Sequence, residues 1–138
     1  MRAAVVMSEE AERLKERTMR FALDVCALIK HLPPFEPGPT VKRQLAKAAT
    51  SVAFNYRASC RGRSHTEFTA KIGLVSEEAD ESQGWLEFVE AAKLIVSPEV
   101  TRLFGESSEL VAIFSASFAT ARRNQRTRRS GKSIRKNQ

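Results

Sequence analysis

Histidine and cysteine are too scarce in this chain to build the sites they usually build. His31 and His65 are the only imidazoles, Cys26 and Cys60 the only thiols. None falls at the CxxC or HExxH spacing that brings two ligands to one metal. The same scarcity gives no disulfide framework, so both cysteines are expected to be reduced and the protein to be cytoplasmic. Six glycines and five prolines are too few for a low-complexity chain, and there is neither a Gly-rich phosphate loop nor a nucleophile elbow. No stretch approaches the ~18 apolar residues of a membrane span. The opening MRAAVVMSEE is too short in apolar residues for a signal-peptide core. Alternating strand patterns are missing as well.

Acidic residues are missing from two whole stretches. Residues 37–66 hold six basic side chains and no acid, and residues 122–138 hold eight basic and no acid. Residues 67–121 reverse this with ten acids against three bases, while residues 1–36 balance at six of each. The net charge of +7 therefore hides a polarised body and a basic end.

Apolar residues recur in steps of four and three in four segments, which at about 100° per residue keeps them on one helical face. Leu14, Thr18, Phe21, Val25, Leu28 and Leu32 place a helix over 9–32, stopped by Pro33-Pro34. Val41, Leu45, Ala48, Val52, Asn55 and Ser59 form the core face of a second helix, N-capped by Thr40 and ending near Cys60. Ser64-His65-Thr66-Glu67 has the form of a capping box for a third, with Phe68, Ile72, Val75, Ala79, Ser82, Leu86 and Val89 inward, running to about Ile95. Gly73 and Gly84 within it are expected to mark close helix contacts. Ser97-Pro98-Glu99 starts a fourth helix, with Leu103, Ser107, Leu110, Phe114, Ser117 and Ala121 inward, to about Arg122. Four such helices with short connections predict an all-α, antiparallel up-down-up-down four-helix bundle over 9–122. Residues 1–8 are expected to be a flexible N-terminus, and 123–138 a disordered basic tail.

Opposite the core face of the second helix lie Arg43, Lys47, Thr50, Phe54, Arg57 and Arg61, with Arg63 just beyond. This single-sign arc, with Arg122, Arg123, Arg126, Arg128, Arg129, Lys132, Arg135 and Lys136 of the tail, is the candidate nucleic-acid surface. Phe54 lies on the arc and Tyr56 beside it. Phe54 reads either as a platform for an unpaired base or as an oligomer contact. Glu77, Glu78, Asp80 and Glu81 form an acidic cluster that reads either as a solvated face or as the complement of the second helix of another subunit. Catalysis has no evident machinery. Glu77 and Glu81 are expected opposite the core face, and the ExxH spacing of di-metal bundles is absent, so neither enzyme activity, metal nor cofactor is expected.

The set Gln44-Leu45, Ala48-Ala49, Ser51-Val52, Asn55, Arg61, Ser64, Glu67-Phe68 and Glu77-Glu78-Ala79-Asp80-Glu81 leading to Trp85-Leu86 resembles a known family. These are the bacterial four-helix-bundle proteins encoded in intervening sequences of large-subunit ribosomal RNA genes. The resemblance spans about Leu14 to Phe118 and implies a homopentamer. It also implies a relation to accessory proteins of diversity-generating retroelements, basic bundles that bind nucleic acid and a reverse transcriptase. Where many members follow the Asn with Ile-Ala-Glu-Gly, this chain has Tyr56-Arg57-Ala58-Ser59. No role of that acid carries over, and Arg57 makes the face more basic. The reading is a non-enzymatic homo-oligomer binding RNA through the basic helix face and tail. The alternative is a scaffold or accessory subunit for a protein such as a reverse transcriptase, with Phe54, Tyr56, Glu77, Glu78 and Glu81 as oligomer contacts.

Overall fold

The computed structural model describes residues 2–136, and the side chains of residues 9–131. Side chains of the expected flexible segment 1–8, and those of Lys132, Arg135 and Lys136, lie outside the described residues. Four helices follow one another: α1 (Arg2–Leu28), extended by a 3-10 turn (Ile29–His31), α2 (Gly38–Ser59), α3 (His65–Ala91) and α4 (Pro98–Lys136). Each packs on its neighbours in sequence, and α1 closes the ring against α4, so that close backbone approach is confined to neighbours around the ring among the described residues. Short connections force adjacent helices to run antiparallel, which gives an up-down-up-down four-helix bundle.

The expected core positions of α1, α3 and α4 are the ones that pack. Phe21, Val25, Ile72, Val75, Leu86, Leu103, Leu110 and Phe114 are all essentially inaccessible. Thr18, Thr69, Ser82 and Ser107 are buried too, and each hydroxyl donates to a carbonyl of its own preceding turn. Their polarity is thus satisfied without a partner helix.

In α2 the expected core arc holds at five of its six positions and departs at Asn55, where Tyr56 goes inward instead. Val41, Leu45, Ala48, Ala49, Val52, Ala53, Tyr56 and Ser59 are buried, whereas Asn55 is only half-buried. From Val52 a step of three turns the face by about −60° and a step of four by about +40°. The helix takes the second, because burying a tyrosine ring removes more apolar surface from water than an amide that would need a partner. The Tyr56 ring packs on Phe114 with centroids 5.3 Å apart. An oligomer contact through Tyr56 is corrected accordingly: its side chain belongs to the core.

The helix ends are set locally. Thr40 is not the N-cap of α2. The helix begins at Gly38, and the Glu36 carboxylate reaches forward to accept from the Thr40 backbone N–H at 3.0 Å and from its hydroxyl. A Cβ on Gly38 would sit 1.9 Å from the Pro33 carbonyl oxygen, so only glycine lets the turn fold back so tightly. Ser64 caps α3 as expected, accepting from the Glu67 N–H at 3.1 Å. The C-terminus of α3 comes earlier than Ile95. Leu94 N–H bonds to Val89 and Lys93 N–H to Glu90, a Schellman arrangement with Lys93 in the left-handed region at φ 54°. Gly73 marks a close helix contact, its missing Cβ leaving room for the Phe118 ring at 2.9 Å, but Gly84 faces open space.

Two outer bounds differ from expectation. The backbone of α1 is helical from Arg2, and α4 continues as helix from Arg123 to Lys136 where a tail without structure is expected. Arginine, lysine and glutamine are good helix formers, and no proline follows Pro98 to stop them. The packing nevertheless ends near Ala121, the last buried residue among those described, and beyond Gln125 every described side chain is exposed.

Two ion-pair groups close the seam between α1 and α4. Arg17 holds Glu106 through Nε at 3.0 Å and Nη2 at 2.5 Å and reaches Glu109 at 2.6 Å. Arg102 bonds Asp24 at 2.8 Å and also Glu99.

Candidate nucleic-acid interface

The outward face of α2 carries Arg43, Lys47, Phe54 and Arg57, with Arg61 on the turn just past its end; all are exposed, and Thr50 is half-buried among them. Arg43 and Arg57 are fourteen residues apart, or about 21 Å along the axis, so the arc is two groups rather than one. At the upper group the electrostatics are mixed. Hydrogen bonds from Thr40 hold the Glu36 carboxyl below its usual range, and Arg43 adds to the effect. Burial, and then the neighbouring Glu81, pushes Glu78 upward, while Lys47 pulls it back. The acidic face of α3 therefore feels the basic face of α2 within one chain, although no ion pair forms between them among the described residues.

The lower group is where tertiary structure adds cations. Antiparallel packing brings the end of α2, the turn Arg61-Gly62-Arg63, the start of α3 and the far part of α4 to one end of the bundle. Two contacts tie α3 to α4 there. His65 Nε2 meets the Ala121 carbonyl at 2.9 Å, and Gln125 Nε2 donates to Thr66 Oγ1 at 3.3 Å. Arg122 lies over the Phe118 ring, 5.4 Å from its centroid. Arg57, Arg61 and Arg63 thus share an end with Arg122, Arg123 and Arg126, and among the described residues none of the six enters an ion pair. Arg128 and Arg129 lie farther along α4 and are exposed.

Two concavities flank this end. A cup of about 510 Å³ is lined by Phe54, Arg57, Ala58, Arg61, Arg63 and Glu67. Its one acid is engaged, Glu67 Oε2 accepting from the Arg63 backbone N–H at 3.2 Å. A wider groove of about 890 Å³ toward α1 shares Arg57 and Arg61 with the cup and adds Arg13, Arg20 and Leu23, but also Glu12 and Glu16. The cup is the more purely cationic of the two. Phe54, on its wall, is 59% exposed.

Elsewhere, Glu77 and Glu81 are exposed on α3 and Glu78 is half-buried. Sequence reading missed two apolar residues on the same outward face, Leu74 at 41% and Phe88 at 43% exposure. The signal was present, since Leu74, Glu77, Glu81, Gly84 and Phe88 repeat in steps of three and four out of phase with the core. No group of three or more histidine, cysteine or acidic side chains is placed to hold a metal ion among the described residues. No described helix is long and apolar enough to cross a membrane.

The family described as 23S rRNA-intervening sequence protein matches residues 10–116. The chain belongs to that family. The match reaches into all four packed helices and stops short of Arg122, so the basic extension of α4 lies outside the matched residues. A crystal structure from Bacteroides thetaiotaomicron, a protein of unknown function of the S23 ribosomal protein family, superposes with a TM-score of 0.69 at 22% identity, covering 76% of this chain and 97% of that one. At this identity the likeness is one of fold. Curated proteins give no match.

Proposed function

We propose that this intervening-sequence family protein is a non-enzymatic, cytoplasmic homo-oligomer that binds nucleic acid at its basic end. The observation that carries the reading is the gathering of Arg57, Arg61 and Arg63 with Arg122, Arg123 and Arg126 at one end of the bundle, unpaired among the described residues. Cations left unpaired by their own protein neutralise phosphates and release counterions. RNA is preferred because the family and its fold relative carry ribosomal RNA and ribosomal protein names, an associational ground. Pentameric assembly rests on the family resemblance, and the exposed Leu74 and Phe88 on α3 support burial of that face between subunits. A ring would multiply weak single sites into one avid surface.

The experiment is RNA binding across a salt series, with oligomer mass measured on the same samples. The full chain is compared with a chain ending at Ala121 and with Arg43, Lys47 and Arg57 all changed to Glu. Log affinity falling linearly with log salt, and an intact oligomer with lost affinity in the charge-reversed protein, supports the helix face. Loss confined to the shortened chain assigns binding to the α4 extension. Dissociation of the oligomer at unchanged affinity refutes the RNA face and favours pairing of the α2 bases with α3 acids between subunits. No binding by any form favours the second reading, an accessory subunit docking a protein such as a reverse transcriptase through the exposed apolar residues of α3.

A further inference from the structure

We infer that the cup at the α2–α3 turn takes an unpaired nucleotide of a single strand, its base stacked on Phe54 and its phosphate held by Arg57, Arg61 and Arg63. The inference rests on the nucleic-acid reading above and narrows it to single-stranded segments. A lone exposed hydrophobe is ordinary on a protein surface. Phe54 is not isolated in that sense, because three guanidinium groups line the same concavity. Arg57 and Ala58 follow it at three and four residues and therefore rise on the same helical face, with Arg61 just past the end of α2. Ala58 is the smallest of them and leaves space beside the ring for a flat partner. Arg63 is carried on the turn, which is held in place by the Arg63 N–H to Glu67 bond and the Ser64 cap.

Aromatic and guanidinium planes together favour a ligand that offers a π-face and a phosphate within one unit, which is a nucleotide. In a duplex the base faces are already stacked on each other and only phosphates and groove edges remain available. A duplex can therefore use the arginines but not the ring. The shared lining of cup and groove places Arg57 and Arg61 on the ridge between them, so neighbouring phosphates of the same strand can follow that ridge.

The test compares full-length wild type with Phe54→Ala and Phe54→Trp. Fluorescence anisotropy is read with labelled oligouridylate of about 15 nucleotides and with an RNA duplex of the same length, a span that fits the usual single-strand site sizes. Oligomer mass is determined by light scattering on each protein. Phe54→Ala should weaken the single strand about tenfold while leaving duplex affinity and oligomer mass unchanged, and Phe54→Trp should restore strand binding. Equal loss for strand and duplex, or no loss for either, overturns the inference and leaves the nucleic-acid reading in place. A fall in oligomer mass with Phe54→Ala also overturns it and assigns the ring to a subunit contact. Failure of wild type to bind either probe removes the nucleic-acid reading itself.

Discussion

His65 Nε2 donates to the carbonyl oxygen of Ala121 at 2.9 Å, joining the first residue of α3 to the last buried residue described in α4. A carbonyl only accepts, so Nε2 is the nitrogen that carries the hydrogen. His65→Ala should lower stability by about 1 kcal/mol and speed amide exchange at residues 122–126. Unchanged denaturation and exchange would show that the bond carries no weight.

Tyr56 is the only tyrosine of the chain, and burial, followed by the influence of Cys60, raises its phenol well above the ordinary value. The unfolded chain ionises near pH 10 while the folded one resists, so this contribution to stability is full below about pH 10 and is lost as pH rises toward the folded value. Native protein should show no phenolate absorbance at pH 10.5. Tyr56→Phe should abolish the tyrosine-dependent part of the alkaline loss, and Tyr56→Ala should cost about 3 kcal/mol through the cavity left beside Phe114.

For Glu78 the sign is the same, but the window is acidic. Burial and Glu81 raise its carboxyl, so ionisation is harder in the folded protein than in the unfolded chain, and the charged group works against the fold at neutral pH. Glu78→Gln should raise the urea midpoint at pH 7, with the gain vanishing below about pH 4, where the unfolded carboxyl is protonated too. A gain that persists unchanged at pH 3 would refute the electrostatic cause.

Lys93 occupies the left-handed position of the Schellman motif that ends α3. A residue with a Cβ there costs about 1 kcal/mol relative to glycine. Lys93→Gly should stabilise by about that amount in chemical denaturation, whereas Lys93→Ala should not.

Helix number, order and most core positions were legible because they rest on local chemistry. Pro33-Pro34 and Ser97-Pro98 break and restart the chain, the Ser64 hydroxyl caps its own third residue, and the spacing in α1, α3 and α4 leaves one apolar face each. The misreadings fall where two local options are nearly equal. Asn55 and Tyr56 lie on either side of the α2 arc, and only packing against Phe114 selects the tyrosine. Gly73 and Gly84 look alike in sequence, yet Phe118 stands opposite one and nothing opposite the other. The continuation of α4 past Ala121 was hidden by composition, since an acid-free stretch rich in basic residues, with Ile134 as its one large apolar residue, gives no periodic signal even when its residues favour helix.

By itself, the sequence determined a four-helix chain with two acid-free basic segments, because turns, caps and periodicity act over a few residues. It could not determine that the ends of those segments meet. Arg57, Arg61 and Arg63 stand 59 to 65 residues from Arg122, and only the antiparallel return of α3 and α4 brings them to one end. The same folding separates Arg43 and Lys47 from that cluster, because a helix is a rigid rod that cannot gather charges spread along its length.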